Sequence, residues 1–216
     1  MKKITVKKIA RTVSSAEYVS RLMDDASVEY NKIDIVNWPD YPYCPDVKFR
    51  VAHTGDFILV NYRVTEASVR AVAPADQGRV WEDSCCEFFV CAEDENDYYN
   101  FECNCAGTLL VNFGIKGDRH HAPESVLTNV KRWSSLGREP FDERIGECSW
   151  ELSLIIPVTS LFNHDIKDLS GMTLRGNFYK CGDLLTTPHF LSWSPIDLPQ
   201  PCFHCPEFFG KLVFEK

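Results

Sequence analysis

From residue 47 onward the chain is divided into short, strand-like apolar runs of five to ten residues separated by turn residues, and this rhythm restricts the fold more than any other feature. "VKFRVAH" (47–53) alternates Val47, Phe49 and Val51 with polar partners, and "FILVNYRV" (57–64) follows across Thr54-Gly55-Asp56, so the two predict a hairpin. Further strands are expected at 85–91, 98–105, 109–114, 148–157, 174–181, 189–193 and 210–215. No helix-length periodic segments alternate with them, which argues against a doubly wound α/β fold. The expectation is an all-β, antiparallel, jelly-roll-like β-sandwich over residues 1–216 as one domain. One short N-terminal helix is expected at 15–24, where Ser14 or Ser15 can cap and Val19, Leu22 and Met23 share a side with Tyr18. The more polar stretch 115–140 reads as an excursion over one end of the sheets.

Composition narrows the partners. A chain of 216 residues, 44% hydrophobic, can bury a sizeable core. Its net charge of −8 argues against nucleic acid and anionic membranes, which need clustered Lys and Arg, and favours a neutral ligand. The start, "MKKITVKKIARTVSSAEYV", is basic but has no apolar run or small-residue cleavage site, so the sequence as written predicts a cytoplasmic protein. No window approaches the about 18 consecutive apolar residues of a membrane helix. Ten cysteines (44, 85, 86, 91, 103, 105, 148, 181, 202 and 205) mostly fall inside apolar runs, where a thiol acts as a small buried hydrophobe.

Several constellations are weak. Cys202-Phe-His-Cys205 is a lone C-x-x-C, and Cys103-x-Cys105 brings no His. "EDEND" (93–97) offers oxygen ligands for Ca²⁺ but lacks the spacing and glycine of an EF-hand, so a solvated turn is the plainer reading. His120, His121 and His164 have no nucleophile partner, and a haem would need an axial His besides Met172.

The stretch "WEDSCCEFF" (81–89) is more informative. If strands 85–91 and 98–105 pair across their acidic turn, Val90–Tyr99, Phe88–Phe101 and Cys86–Cys103 form the core face. The other face carries Phe89–Asn100, Glu87–Glu102 and Cys85–Asn104. Opposed carboxylates destabilise a sheet unless a cation, a shared proton or ligand hydroxyls compensate them. Trp81 precedes this strand, Trp193 ends another, and Arg175, Asn177 and Tyr179 alternate along one face of a third. Sugar rings pack C–H bonds on aromatic faces while planar polar groups take the hydroxyls, so these residues describe a sugar slot. A tryptophan in an apolar run is nonetheless more often core than platform.

The segments "VWEDSCCEFFV…YYNFECNCAGTLL" and "LRGNFYKCG…PHFLSWSPIDLPQPCFHCPEFFGKLVFE" resemble family-9 carbohydrate-binding modules. The resemblance implies a β-sandwich that binds a mono- or oligosaccharide without catalysis, clamped between Trp81 and Trp193 with Glu87 on its hydroxyls. Asn177, Glu102, Asn104 and Arg175 are secondary candidates from the same face. It also implies a possible structural Ca²⁺, with no ligand assignable by motif, and relatives that are exported with polysaccharide hydrolases acting on xylan or cellulose. Lys180 stands where the family pattern often has Arg. The alternatives are a glycoside hydrolase using Glu87 and Glu102, and a haem- or protein-binding domain of the same fold.

Overall fold

A computed structural model describes residues 1–11 and 13–216. Its elements in chain order are β1 (Lys3–Lys8), α1 (Val19–Asp25), β2 (Asn31–Lys32), β3 (Ile35–Val36), β4 (Asp46–His53), β5 (Phe57–Ala71), β6 (Cys85–Ala92), β7 (Tyr98–Asn104), β8 (Leu109–Ile115), β9 (Asp118–His121), α2 (Glu124–Asn129), β10 (Lys131–Ser134), β11 (Phe141–Pro157), β12 (Thr173–Cys181), β13 (Phe190–Ser192) and β14 (Gly210–Phe214). The expected sandwich is present. The back sheet runs β10-β11-β5-β4 and the front sheet β14-β12-β6-β7-β8-β9, with β1 joining them. No helix among the described residues is long and apolar enough to cross a membrane.

Most pairings are antiparallel, but β1 departs from that rule. It pairs in parallel with β14 through Lys3–Val6 and with β4 through Lys7 and Lys8, so one strand serves both sheets. The β4–β5 hairpin forms as expected, with Val51 opposite Val60 and Gly55 in the turn at a φ of 95°, a conformation that glycine adopts without a side-chain clash. The expected N-terminal helix starts as a 3₁₀ turn at Ala16–Tyr18 and continues as α1, whose Val19 and Met23 pack on Ala52, Leu59 and Ile155 of the back sheet. The polar excursion contains β9, α2 and β10.

Between the sheets, alternate residues of each strand meet in one core, where Phe178 stacks on Phe49 (3.8 Å between ring centroids) and on Phe88 (4.8 Å). The Tyr62 hydroxyl donates across this core to the Glu87 carbonyl (3.0 Å), tying β5 to β6. Seven cysteines are buried and all ten are unpaired.

Candidate functional site

The β6–β7 hairpin has the register that its alternation predicts. Cys86–Cys103, Phe88–Phe101 and Val90–Tyr99 face the core, while Cys85–Asn104, Glu87–Glu102 and Phe89–Asn100 face outward. A slip of one residue would have placed the apolar set in the wrong layer, which is why the pattern fixes the pairing. Arg175, Asn177 and Tyr179 share the outward face through their pairing with Cys91, Phe89 and Glu87.

That face is covered. The segment between β13 and β14 crosses it and forms a second apolar cluster with Phe89, Tyr98, Tyr179, Phe203 and Phe209. The cover explains where several sequence-based candidates fail. Arg175 donates to the carbonyls of Pro206 (3.0 Å) and Glu95, fastening the cover. Asn177 is fully buried; its amide donates to the Ser194 carbonyl (3.0 Å) and its Oδ1 accepts from the Phe178 and Ser194 N–H groups. Asn104 donates to Asp83 (2.9 Å) and accepts from the N–H groups of Ala106 and Thr108, so it shapes the turn after β7. Asp83 in turn accepts from the N–H groups of Val72 and Ala73.

Trp193 requires the largest correction. It is 3% exposed and lies in the core between the sheets, edge-on to Phe49 (6.2 Å) and Phe178 (6.1 Å). Its ring lies where a side chain at Gly210 would stand, so Gly210 has to be glycine for this packing. The tryptophan and the glycine of the closing motif therefore hold the fold together, and Trp193 faces no open slot.

A cavity of roughly 370 Å³ remains at the uncovered end of the outer face, within the range of small-molecule sites. Trp81, Phe190 and Phe203 contribute its aromatic wall; Glu87, Glu102, Asn112, Arg119 and Asp183 contribute its polar groups. Trp81 is half-buried on a 3₁₀ turn (Val80–Glu82) just before β6, and its carbonyl accepts from the Asp183 N–H (3.1 Å), which joins two cavity loops. Phe203 stacks flat on Tyr179, with centroids 4.1 Å apart.

Of the expected site residues, the cavity thus brings together Trp81, Glu87 and Glu102, and excludes Trp193, Asn104, Asn177 and Arg175. Asn112, Arg119, Asp183, Phe190 and Phe203 were not anticipated. Arg119 comes from β9 in the polar excursion; its guanidinium lies 4.0 Å over the Tyr98 ring and donates to Asn100 Oδ1. A signal existed in Lys116-Gly117, a turn pairing Ile115 with Asp118 and returning β9 toward the acids.

The electrostatics are unusual for a sheet surface. Burial and the neighbouring Glu102 push the Glu87 carboxyl well above its ordinary range. Burial raises Glu102 to about 7, although the Asn100 amide (2.6 Å) and Arg119 favour its charged form. Burial and Glu82 raise Asp183 to about 6. These groups resist full ionisation together, so the pair offers both acceptors and a proton at neutral pH.

Other constellations do not assemble. Both ring nitrogens of His164 are engaged, by Tyr99 (2.7 Å) and Glu95 (2.8 Å), and the apolar cavity that it shares with Met172 is roughly 90 Å³, too small for a haem. In the acidic turn, Glu93 binds Lys211 and Glu95 binds His164, and among the described residues no Ca²⁺-type cluster of carboxylates converges there. His120 is exposed beside Asp118.

The fold is a sandwich with a small cavity walled by aromatic rings and floored by opposed acids. Residues 17–214 match carbohydrate-binding family 9, and the chain belongs to that family. A candidate carbohydrate-binding protein from Bacteroides uniformis is 59% identical over 99% of both chains, with a TM-score of 0.97. Two structures of a family-9 module from Caldicellulosiruptor kristjanssonii share the fold. The complex with cellotriose is 12% identical, with 99% of this chain and 94% of that chain covered and a TM-score of 0.61. The complex with glucose is 11% identical, with 99% and 96% covered and a TM-score of 0.58. Among curated proteins none matches the chain.

Proposed function

We propose that the protein binds the end of a mono- or oligosaccharide without catalysis in the cavity beside Trp81. The observation that carries this reading is the Glu87–Glu102 pair: two opposed acids, buried yet bordering a cavity, next to an aromatic wall. Sugar hydroxyls both donate and accept, so they suit a carboxyl pair that shares protons as well as charge. One ring packs on Trp81, with Phe190 and Phe203 in the place that Trp193 cannot fill. Arg119, Asn112 and Asp183 select among hydroxyls. The family-9 module of C. kristjanssonii holds glucose and cellotriose, which makes glucose and β-linked glucose oligomers the first ligands to try, with xylose oligomers next.

Isothermal titration tests the reading. A single shallow site should bind with a dissociation constant of roughly micromolar to millimolar size. Trp81→Ala and Glu87→Gln should each weaken it about tenfold or more, a loss near 1.4 kcal/mol. Unchanged binding in both variants defeats the proposal. Turnover of an aryl glycoside that Glu87→Gln abolishes would favour a hydrolase instead.

A further inference from the structure

Cys85 and Cys181 are directly opposed on β6 and β12, and Glu87 lies two residues along β6 on the same face. All three side chains are buried, and their donor atoms lie within 4.8 Å of one another. Cys181 Sγ is 3.1 Å from Glu87 Oε1. Among the described residues, no other group of three His, Cys, Asp or Glu side chains converges in this way. Two positions i and i+2 on one strand, with the residue facing i on the next, form a triangle whose side chains meet over the sheet. Tetrahedral Zn²⁺, with sulfur at about 2.3 Å and carboxylate oxygen at about 2.1 Å, sets its ligands about 3.6–3.8 Å apart. The triangle has one edge of 3.1 Å and none above 4.8 Å, a span that includes those separations.

We propose that Cys85, Glu87 and Cys181 form a Zn²⁺ site in the floor of the cavity. Glu87 and Cys181 border the cavity, so the fourth coordination position opens toward it and takes water or a ligand hydroxyl. Two sulfurs select a thiophilic cation over Ca²⁺ or Mg²⁺, which take oxygen ligands. A thiol binds Zn²⁺ as thiolate, so each cysteine releases its proton to solvent on binding and affinity rises with pH. The site goes beyond the saccharide reading and stands without it, since no sugar is needed to fill it; with Zn²⁺ bound, Glu87 is a metal ligand and Glu102 alone keeps a proton for hydroxyls.

The test is a titration of the reduced full chain with Zn²⁺ against a chromogenic chelator, without saccharide. Cys44→Ser is used as background because that exposed thiol could bind metal on its own. One equivalent should bind, more tightly at pH 8 than at pH 6, and Cd²⁺ in its place should give thiolate-to-metal charge-transfer absorption. Cys181→Ala should weaken Zn²⁺ binding at least tenfold; should that variant fail to fold, Glu87→Gln gives the same reading. Unaltered Zn²⁺ affinity in the folded variant, or no charge-transfer absorption with Cd²⁺, overturns the site. So does a Cys85–Cys181 disulfide found by mass spectrometry in protein isolated anaerobically without reductant. Zn²⁺ binding with no response to any sugar would keep this site and remove the saccharide proposal.

Discussion

The inner and outer faces of β6 and β12 bury charge in opposite ways. Inward, Lys180 lies 2.8 Å from Glu66 and 2.7 Å from His189 Nε2, and the second Glu66 oxygen accepts from Trp150 Nε1 (2.7 Å). The Nδ1–H of His189 donates to the Thr187 carbonyl (3.0 Å), an assignment drawn from the hydrogen-bond geometry, and burial with the adjacent Lys180 lowers its pKa to about 3. Every inward charge therefore meets an opposite or a fitting dipole. Outward, one residue away, Glu87 faces Glu102, Asp183 adds a third acid, and Arg119 reaches the pair only beside Asn100. A satisfied buried group stabilises a fold and has nothing left to offer a ligand. The outward acids border an open cavity with acceptors to spare, and under the saccharide proposal that surplus is what a ligand would meet.

Two substitutions on the inner side should have the largest effects. Trp193→Ala should cost about 3–5 kcal/mol in urea unfolding, through the cavity left among Phe49, Phe178 and Gly210. The folded fraction should still bind sugar, and a selective loss of binding would return Trp193 to the site. Lys180→Met leaves the Glu66 carboxylate buried without its cation, for a loss of about 3–5 kcal/mol. A loss below about 1 kcal/mol would erase the contrast between the faces.

The smallest expected effect concerns pH and the outer pair. Glu102 keeps its proton to about 7 when folded, against an ordinary value of 4.5. Its contribution is therefore full below about 4.5 and is lost as pH rises through 7, because the native state binds the extra proton. Glu102→Gln should flatten this slope, so the variant gains stability relative to the parent between pH 5 and 8. Equal slopes in urea midpoints would mean that the outer pair is as well compensated as the inner one.

The parts of the fold written in local alternation were legible in the sequence. Phe88, Val90, Phe101 and Tyr99 set both strand and register, and with them the Glu87–Glu102 opposition. The first half of β11 was missed because residues 141–147 are polar and mostly exposed, and their strand state depends on pairing with β5 through two bulges. The site was half legible. Face membership follows from period two, so Arg175 and Asn177 were placed on the correct side. Whether anything covers that side depends on the segment after β13, which has no period to read. Trp193 misled for a related reason: a conspicuous tryptophan marks burial as well as binding, and only the fit to Gly210 separates the two.

Because β1 is held between β4 and β14, the sandwich is closed by contacts between the first residues of the chain and the last strand, Lys3 with Lys211 and Val6 with Phe214. Such closure is as nonlocal as a chain of this length allows, and nonlocal pairing slows folding. The segment carrying Phe203 lies just before β14, so the strand that closes the sandwich against β1 and the segment that walls the cavity are one continuous stretch of chain, and strain at either is felt at the other.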